Sequence, residues 1–171
     1  MSLRIGIAGF GVVGKRRREF INLRDDMGVV AVCDRIFDGQ GVLEDGAKIF
    51  SGYHELLNQD LDALFVCISN DMAAEITVAG LEKGLHVFCE KPPGRDLDDM
   101  AWVIASEKSH PGLKLKYGFN HRYHNSVKDA LAIVASGEMG KVINLRGMYG
   151  KSQLVTFGKD HDWRTSRKFA G

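Results

Sequence analysis

Short apolar runs of strand length alternate with amphipathic stretches of helical length along most of the chain. The helical stretches fall at about residues 13–23, 73–83, 97–107 and 126–136. Strand and helix alternation predicts a parallel sheet that is covered by helices on both faces. We therefore expect an α/β fold, a doubly wound parallel sheet with strand order 3-2-1-4-5-6. The runs that predict its strands are LRIGIAG, VVAVCD, KIFSG, DALFVCIS, LHVFCEK and KLKYGFN.

A second pattern begins after Gly140. The stretch KVINLRGMYGKSQLVTF alternates like one long strand, and no crossover helix follows it. We expect residues 1–120 to form the doubly wound domain. Residues 121–171 are predicted to be a connecting helix and the first strand of a second, incomplete α+β domain, because about fifty residues rarely bury a core of their own.

The composition is that of a soluble globular protein. Among 171 residues, 23 basic and 22 acidic side chains leave a net charge of +1, too little to attract nucleic acid or acidic lipid. The basic run KRRR at residues 15–18 would spread around a helix, which predicts a solvated surface rather than a nucleic-acid site. No apolar run approaches the roughly 20 residues of a membrane span. We expect a cytoplasmic protein that binds small molecules and other copies of itself, not nucleic acid or membrane.

The three cysteines are isolated along the chain. Cys33, Cys67 and Cys89 each follow an apolar run and lack C-x-x-C spacing. This pattern indicates buried, reduced thiols rather than disulfides or zinc ligands.

The stretch IGIAGFGVVGKRRREF contains a glycine turn that fits two phosphate-binding motifs. Gly9, Gly11 and Gly14 spell G-x-G-x-x-G, typical of a dinucleotide-binding turn, while Gly9 to Lys15 also spells G-x-x-x-x-G-K, most of a P-loop. A P-loop needs a hydroxyl after its lysine to bind the magnesium ion, and Arg16 stands there. The triphosphate alternative therefore lacks its metal ligand.

The dinucleotide alternative has its other parts in register. A strand precedes the turn, a helix follows it, and Asp34 closes the second strand, where a carboxylate accepts hydrogen bonds from the adenine ribose. This favours a Rossmann domain that binds NAD. Arg35, directly after the acid, could receive the 2′-phosphate of NADP, so NADP stays open. The predicted cofactor contacts in this part of the chain are Gly9, Phe10, Gly11, Val12, Val13, Gly14, Asp34 and Arg35.

A lysine and two prolines follow the fifth predicted strand, in HVFCEKPPGR. They place the Lys91 ammonium on stiff backbone at the sheet edge where α/β proteins bind ligands. Together with the glycine turn, Asp34, YGFNHRY and DWR, the tripeptide Glu90-Lys91-Pro92 resembles the Gfo/Idh/MocA oxidoreductases over nearly the whole chain.

The resemblance implies an NAD(P)-dependent dehydrogenase that acts on a secondary alcohol of a sugar, a cyclitol or a nucleotide sugar. It assigns Lys91 to catalysis, since the family's lysine contacts the reacting hydroxyl and a cation stabilises the developing alkoxide. The implied cofactor contacts add Ser69, Asn70, Glu90 and Lys91. The implied substrate contacts are Lys91, Asn120, Arg122, Trp163 and Arg164, and the full-length protein is expected to be a homo-oligomer.

The chain departs from the family pattern in two places. After the fourth strand, Ser69 stands at the family's proline and Ala73 at its histidine. The sequence also ends at Gly171, just before the family's catalytic Asp and His, so we expect this chain alone to bind cofactor without oxidising a sugar. A non-catalytic module that binds NAD(H) is the alternative. No metal is expected, because His121, His124 and His161 lack the spacing of a ligand set.

Overall fold

A computed structural model describes residues 2–148 and 150 of the chain. The described residues divide into two compact units, of which the first ends at Gly118 and the second begins at Phe119. In chain order, the elements of the described part are β1 Leu3–Ala8, α1 Val12–Asn22, β2 Met27–Cys33, β3 Gly41–Val42, β4 Lys48–Phe50, α2 Tyr53–Leu57, β5 Ala63–Val66, α3 Asn70–Glu82, β6 His86–Cys89, α4 Leu97–Ser109, β7 Leu115–Tyr117, the 3-10 helix Asn120–Tyr123 and α5 Asn125–Ser136.

The first unit contains a seven-stranded sheet in the order β3-β4-β2-β1-β5-β6-β7. All neighbouring pairs are parallel except β3 with β4. The six parallel strands follow the predicted order 3-2-1-4-5-6, and the stretch KIFSG does supply the third of them. The sequence analysis missed β3, because two residues carry no readable periodicity.

The sheet is covered on both faces, as its nearly continuous apolar strands predict. One cluster joins β1 and β2 to α1 through Ile5, Ile7, Ile21 and Val32. A larger cluster packs α2 and α3 on the other side of the sheet, with Leu56, Leu64, Val66, Ile76 and Leu81 buried in it. Full burial of each such side chain contributes about 1.5 to 3 kcal/mol to folding.

Close approach of helix to strand depends on small residues. A Cβ on Gly80 of α3 would lie 2.8 Å from a methyl carbon of Leu64 in β5. The helix can therefore lie directly on the strand only because Gly80 has no side chain. Glycine at this position therefore keeps α3 close to β5, and with it the loop that precedes the first turn of α3.

Helix ends agree with the sequence to within a few residues. Asp96 caps α4, since its carboxylate accepts hydrogen bonds from the amides of Asp98 (3.1 Å) and Asp99 (3.0 Å). Gly84 and Gly137 follow the ends of α3 and α5 with positive φ values of 78° and 77°, which glycine adopts without strain. α3 begins at Asn70, three residues earlier than predicted, and the five-residue α2 was not predicted.

The second unit contains the 3-10 helix and α5 within its described residues. Residues 142–148 have no regular secondary structure. The rest of the predicted strand lies outside the described residues, so the start of a second α+β domain stays a prediction. No helix in the described part of the chain is long and apolar enough to cross a membrane.

Candidate functional site

The carboxyl ends of the parallel strands are joined by hydrogen bonds that continue one residue past each strand. The amide of Asp34 donates a hydrogen bond to the carbonyl oxygen of Phe50 (3.1 Å). In the same way, the amide of Gly9 donates to the carbonyl oxygen of Cys33 (2.8 Å), and the amide of Cys67 donates to that of Ala8 (2.7 Å). The amides of Glu90 and Gly118 continue the row by donating to Val66 (2.8 Å) and Cys89 (2.9 Å). One edge of the sheet therefore carries Asp34, the glycine turn and the Glu90-Lys91 segment side by side. Ligands bind at this edge in open α/β sheets.

The three glycines of the turn differ in what surrounds them. Gly9 has a φ of 92°, and a Cβ on it would collide with the carbonyl group of Cys67. A Cβ on Gly14 would collide with the carbonyl oxygen of Gly9, so the lack of a side chain lets α1 begin close behind β1. Nothing lies within 4 Å of a Cβ on Gly11. Gly9 and Gly14 serve the fold, whereas Gly11 leaves open space in front of the turn.

Helix α1 begins at this open space. Gly11 caps it without a side-chain hydrogen bond, and its first turn contains no acidic residue. The amides of a first helical turn have no partner within the helix, and the helix dipole adds positive potential there. Val12 and Val13 are exposed beside the opening, the first of them to 78%. The N-terminus of α1 can thus receive an anion.

Asp34 is held by the backbone around it. Its Oδ2 accepts a hydrogen bond from the Phe10 amide (2.6 Å), and its Oδ1 accepts one from the Ile36 amide (3.1 Å). The Phe10 ring is buried and packs on Phe37 with ring centroids 5.8 Å apart. Arg35 is exposed and has no hydrogen-bond or ion-pair partner among the described residues. The predicted contact Phe10 therefore orients Asp34 through its amide while its ring fills the core.

The side chains of Glu90 and Lys91 lie in different environments. Lys91 is exposed, its ammonium has no partner within residues 2–148 and 150, and its peptide bond to Pro92 is cis. Glu90 instead accepts a hydrogen bond from Nε of Arg17 (2.7 Å) and a second one from the same guanidinium. The carboxylate predicted to contact cofactor is thus turned toward α1.

The loop after β5 brings Ser69 and Asn70 to the same edge. Ser69 caps α3 without a side-chain hydrogen bond, and Asn70, its first residue, is only 6% exposed. Cys67 precedes them, and burial raises the pKa of its thiol to about 12. A thiol with that pKa is protonated at neutral pH, so Cys67 offers no nucleophile here. The three cysteines are free thiols, with Cys33 and Cys89 buried and Cys67 half-buried.

Other predicted residues belong to the second unit or lie outside the described residues. Asn120 and Arg122 stand in the exposed 3-10 helix of the second unit. His121 and His124 have ring centroids 4.8 Å apart. No group of three His, Cys, Asp or Glu side chains within the described part could hold a metal ion. Trp163, Arg164 and His161 lie outside the described residues, so their assignments stay predictions.

Arg17 is the site residue that the sequence analysis missed. The basic run was expected to be solvated, but Arg17 pairs with Glu90 and Arg18 pairs with Asp45. The spacing of residues in α1 could have indicated this role. Gly14, Arg17 and Ile21 recur at helical spacing and so lie on the face of α1 that turns inward. Two of the four residues of the basic run are therefore paired within the chain, whereas Lys15 and Arg16 are exposed.

Comparison with known proteins identifies the family. The family model described as "Oxidoreductase family, NAD-binding Rossmann fold" (Gfo/Idh/MocA) matches residues 3–119. The match includes the whole sheet and the edge described above. The chain belongs to this family. Its first unit is the family's NAD-binding Rossmann fold, as the resemblance predicted.

Similar proteins include several inositol dehydrogenases. Inositol 2-dehydrogenase of Salmonella typhimurium is 32% identical over 161 residues, which cover 91% of this chain and 48% of that protein. Myo-inositol 2-dehydrogenase of Thermotoga maritima is 31% identical over 84% of this chain and 44% of its own length. The crystal structure of myo-inositol 2-dehydrogenase from Lactobacillus plantarum superposes with a TM-score of 0.71 at 28% identity, covering 84% of this chain and 44% of that one. The chain spans about half the length of the curated relatives it matches.

Proposed function

We propose that this chain binds NAD(H) along the carboxyl edge of its sheet, as the cofactor-binding part of a dehydrogenase that acts on a secondary alcohol. The proposal rests on one observation: Asp34, the open turn at Gly11 and Lys91 lie in a row along that edge. The substrate class is a cyclitol, a sugar or a nucleotide sugar. Similarity to two inositol 2-dehydrogenases favours a cyclitol.

The glycine turn fits a dinucleotide diphosphate. The space in front of Gly11 lets phosphate oxygens approach the backbone, and the first turn of α1 supplies amide donors and positive potential. Val12 and Val13 border this space. Any side chain at residue 11 would occupy it, which explains glycine at a position where the fold itself sets no steric limit.

The carboxylate of Asp34 fits a ribose diol. Each of its oxygens accepts one backbone hydrogen bond and keeps a lone pair for a ribose hydroxyl. Because a carboxylate repels a 2′-phosphate, we propose NAD rather than NADP. Arg35 is the residue that would favour NADP, since its exposed guanidinium is free of partners in the described part of the chain.

Lys91 is the proposed catalytic residue. Bound NAD⁺ supplies the hydride acceptor in alcohol oxidation. Lys91 donates a hydrogen bond to the oxygen of the substrate hydroxyl, and its charge stabilises that oxygen while a general base takes the hydroxyl proton. The exposed ammonium is available for this role because no side chain among residues 2–148 and 150 pairs with it. A module that only binds NAD(H) needs no such cation, which favours the enzyme over the regulatory alternative.

The test compares cofactor binding with turnover. We expect Lys91→Ala in this chain to bind NADH within about threefold of the wild type, because the diphosphate and ribose contacts remain. In the protein as it occurs naturally, with myo-inositol or scyllo-inositol as substrate, the same change is expected to lower kcat by about 100-fold or more. Lys108→Ala, at the exposed end of α4, is the matched control and leaves both quantities unchanged.

Each result has a distinct meaning. Failure of the wild-type chain to bind NADH would refute the cofactor site. Binding of NADH without turnover of any polyol by the naturally occurring protein would favour the non-catalytic module. A Lys91→Ala enzyme with full activity would remove Lys91 from the mechanism.

A further inference from the structure

The Glu90 side chain lies next to three parts of the first unit: α1, the amide of Lys91 and the end of β7. Its side chain is 15% exposed, and Oε1 accepts two hydrogen bonds from the guanidinium of Arg17 in α1. Its Oε2 lies 3.4 Å from the amide nitrogen of Lys91, which donates to it. A Cβ on Gly118, just after β7, would lie 2.7 Å from Oε2. Absence of a side chain at Gly118 therefore makes room for the carboxylate.

The Arg17 guanidinium also lies over an aromatic ring. The centre of its guanidinium lies 5.0 Å from the ring centroid of Phe88 in β6. Phe88 in turn stacks on Phe65 of β5, with ring centroids 4.9 Å apart and an angle of 27° between the planes. These two phenylalanines are register partners in the parallel sheet. The guanidinium is thus held between an aromatic face and a carboxylate, a geometry that arginine satisfies better than lysine.

Two consequences follow for Lys91. The ion pair ties the helix that starts at the glycine turn to the residue directly before Lys91, so it sets the lysine relative to the turn. It also neutralises the carboxylate that adjoins Lys91 in sequence. An unpaired carboxylate there would attract the ammonium and compete with a ligand for it.

We propose that Arg17 and Glu90 are positioning residues for Lys91, which hold it in place and keep its ammonium available to a ligand. This role goes beyond the contact with cofactor that the resemblance implies for Glu90, and it gives a function to one arginine of the basic run. It rests on the proposed function, since positioning matters only if Lys91 faces a ligand.

The experiment measures two quantities separately on this chain. One is the reactivity of the Lys91 amine in the absence of cofactor, and the other is the affinity for NADH. Acetylation of Lys91 by acetic anhydride, quantified by mass spectrometry, is followed against pH in the wild type, Arg17→Gln, Glu90→Gln and the double variant. For Arg17→Gln we expect Lys91 to be acetylated more slowly than in the wild type at each pH, because the freed carboxylate attracts the ammonium. The double variant returns toward the wild-type profile, because that carboxylate is gone. NADH binding by Arg17→Gln is expected to stay within about threefold of the wild type, as for Lys91→Ala, because the diphosphate and ribose contacts remain. Turnover of myo-inositol by the naturally occurring protein should instead fall about tenfold through loss of positioning.

Arg4→Gln is the matched control. Arg4 forms an ion pair with Asp62 in the same unit, at the opposite edge of the sheet. We expect this variant to lower the urea midpoint of unfolding while it leaves the Lys91 profile and NADH binding unchanged. Arg17→Lys, which keeps a charge in place, guards against misfolding of the glutamine variant and is expected to lie between it and the wild type.

Three outcomes would overturn the proposal. The first is an Arg17→Gln profile that coincides with the wild type, which would make the ion pair a brace for stability alone. The second is a double variant that is acetylated as slowly as Arg17→Gln, because the carboxylate would then not act on Lys91. The third is an Arg17→Lys profile that equals the wild type when Arg17→Gln cannot be obtained folded. Acetylation is measured without cofactor. Failure of the wild type to bind NADH would therefore refute the proposed function, but the acetylation of Lys91 could still be interpreted.

Discussion

The amino ends of β1 and β5 carry charges that bind one another, whereas the carboxyl ends of the same sheet leave cations exposed. At the amino edge, the Arg4 guanidinium donates two hydrogen bonds to Asp62 (3.0 and 2.9 Å), and the Arg4 amide donates a third (2.7 Å). At the carboxyl edge, Lys91 and Arg35 have no such partner in the described part of the chain. Both edges are polar, but Arg4 and Asp62 satisfy one another, whereas Lys91 and Arg35 stay available to a ligand.

The difference separates stability from binding within one domain. Paired charges fix the chain and leave nothing for a ligand, while unpaired charges beside an open turn cost little in water and become useful when a ligand arrives. The carboxyl edge still contains one internal pair, Arg17 with Glu90, and it lies between the glycine turn and Lys91. Substitutions at the two edges should therefore affect different measurements.

Gly14→Ala is expected to have the largest effect. Its Cβ would overlap the carbonyl oxygen of Gly9, so β1 and α1 would have to separate, at a cost on the order of 3 kcal/mol or more in unfolding free energy. Urea unfolding followed by circular dichroism measures it. Gly28→Ala in β2, where a Cβ meets nothing within 4 Å, is the control and should change stability by less than about 1 kcal/mol. Equal stability of the two variants would show that the turn relaxes freely.

Asp34→Ala is expected to weaken NADH binding by about 1 to 3 kcal/mol, through loss of charge-assisted hydrogen bonds to the ribose. Calorimetric titration with NADH and NADPH gives both affinities. Asp34→Asn keeps an acceptor for the Phe10 amide and so separates loss of charge from disturbance of the turn. Wild-type protein that binds NADPH as tightly as NADH would show that Arg35 outweighs Asp34.

Gly11→Ala distinguishes the middle glycine of the turn from the other two. Nothing in the fold contacts a Cβ there, so stability should stay within about 1 kcal/mol of the wild type. A methyl group in the space for the diphosphate should weaken NADH binding about tenfold, which corresponds to ~1.4 kcal/mol. Fluorescence titration and urea unfolding on the same sample test both statements. Loss of stability without loss of affinity would reverse the roles assigned to Gly11 and Gly14.

The smallest effect is expected at the amino edge, as a dependence of stability on pH. Hydrogen bonds from the Arg4 side chain, and next from its amide, lower the pKa of Asp62 to about 2. An unfolded aspartate titrates near ~3.9, so this contribution is complete above about pH 5 and is lost as the pH falls through about 4 to 2. Urea midpoints of the wild type and Asp62→Asn should differ at pH 6 to 7 and converge near pH 2. A gap that stays constant down to about pH 2 would contradict this assignment.

Much of the first unit could be predicted from sequence, because its determinants are local. Buried parallel strands read as apolar runs, and Gly9 and Gly14 mark a turn that other residues cannot form. Asp34 follows its strand directly, so its place at the edge follows from strand order. The elements missed, β3 and α2, have two and five residues and no periodicity to detect.

The sequence alone determined the doubly wound sheet, the family and the edge that carries the candidate site, since strand pattern, glycine spacing and the Glu90-Lys91-Pro92 tripeptide are all written along the chain. Only the tertiary structure decided which charges remain available. Arg17 and Glu90 are 73 residues apart in sequence, and no local pattern reveals that strand order brings their side chains together. It likewise decided that Phe10 holds Asp34 through its amide, because hydrogen bonds between distant segments depend on how the sheet is assembled.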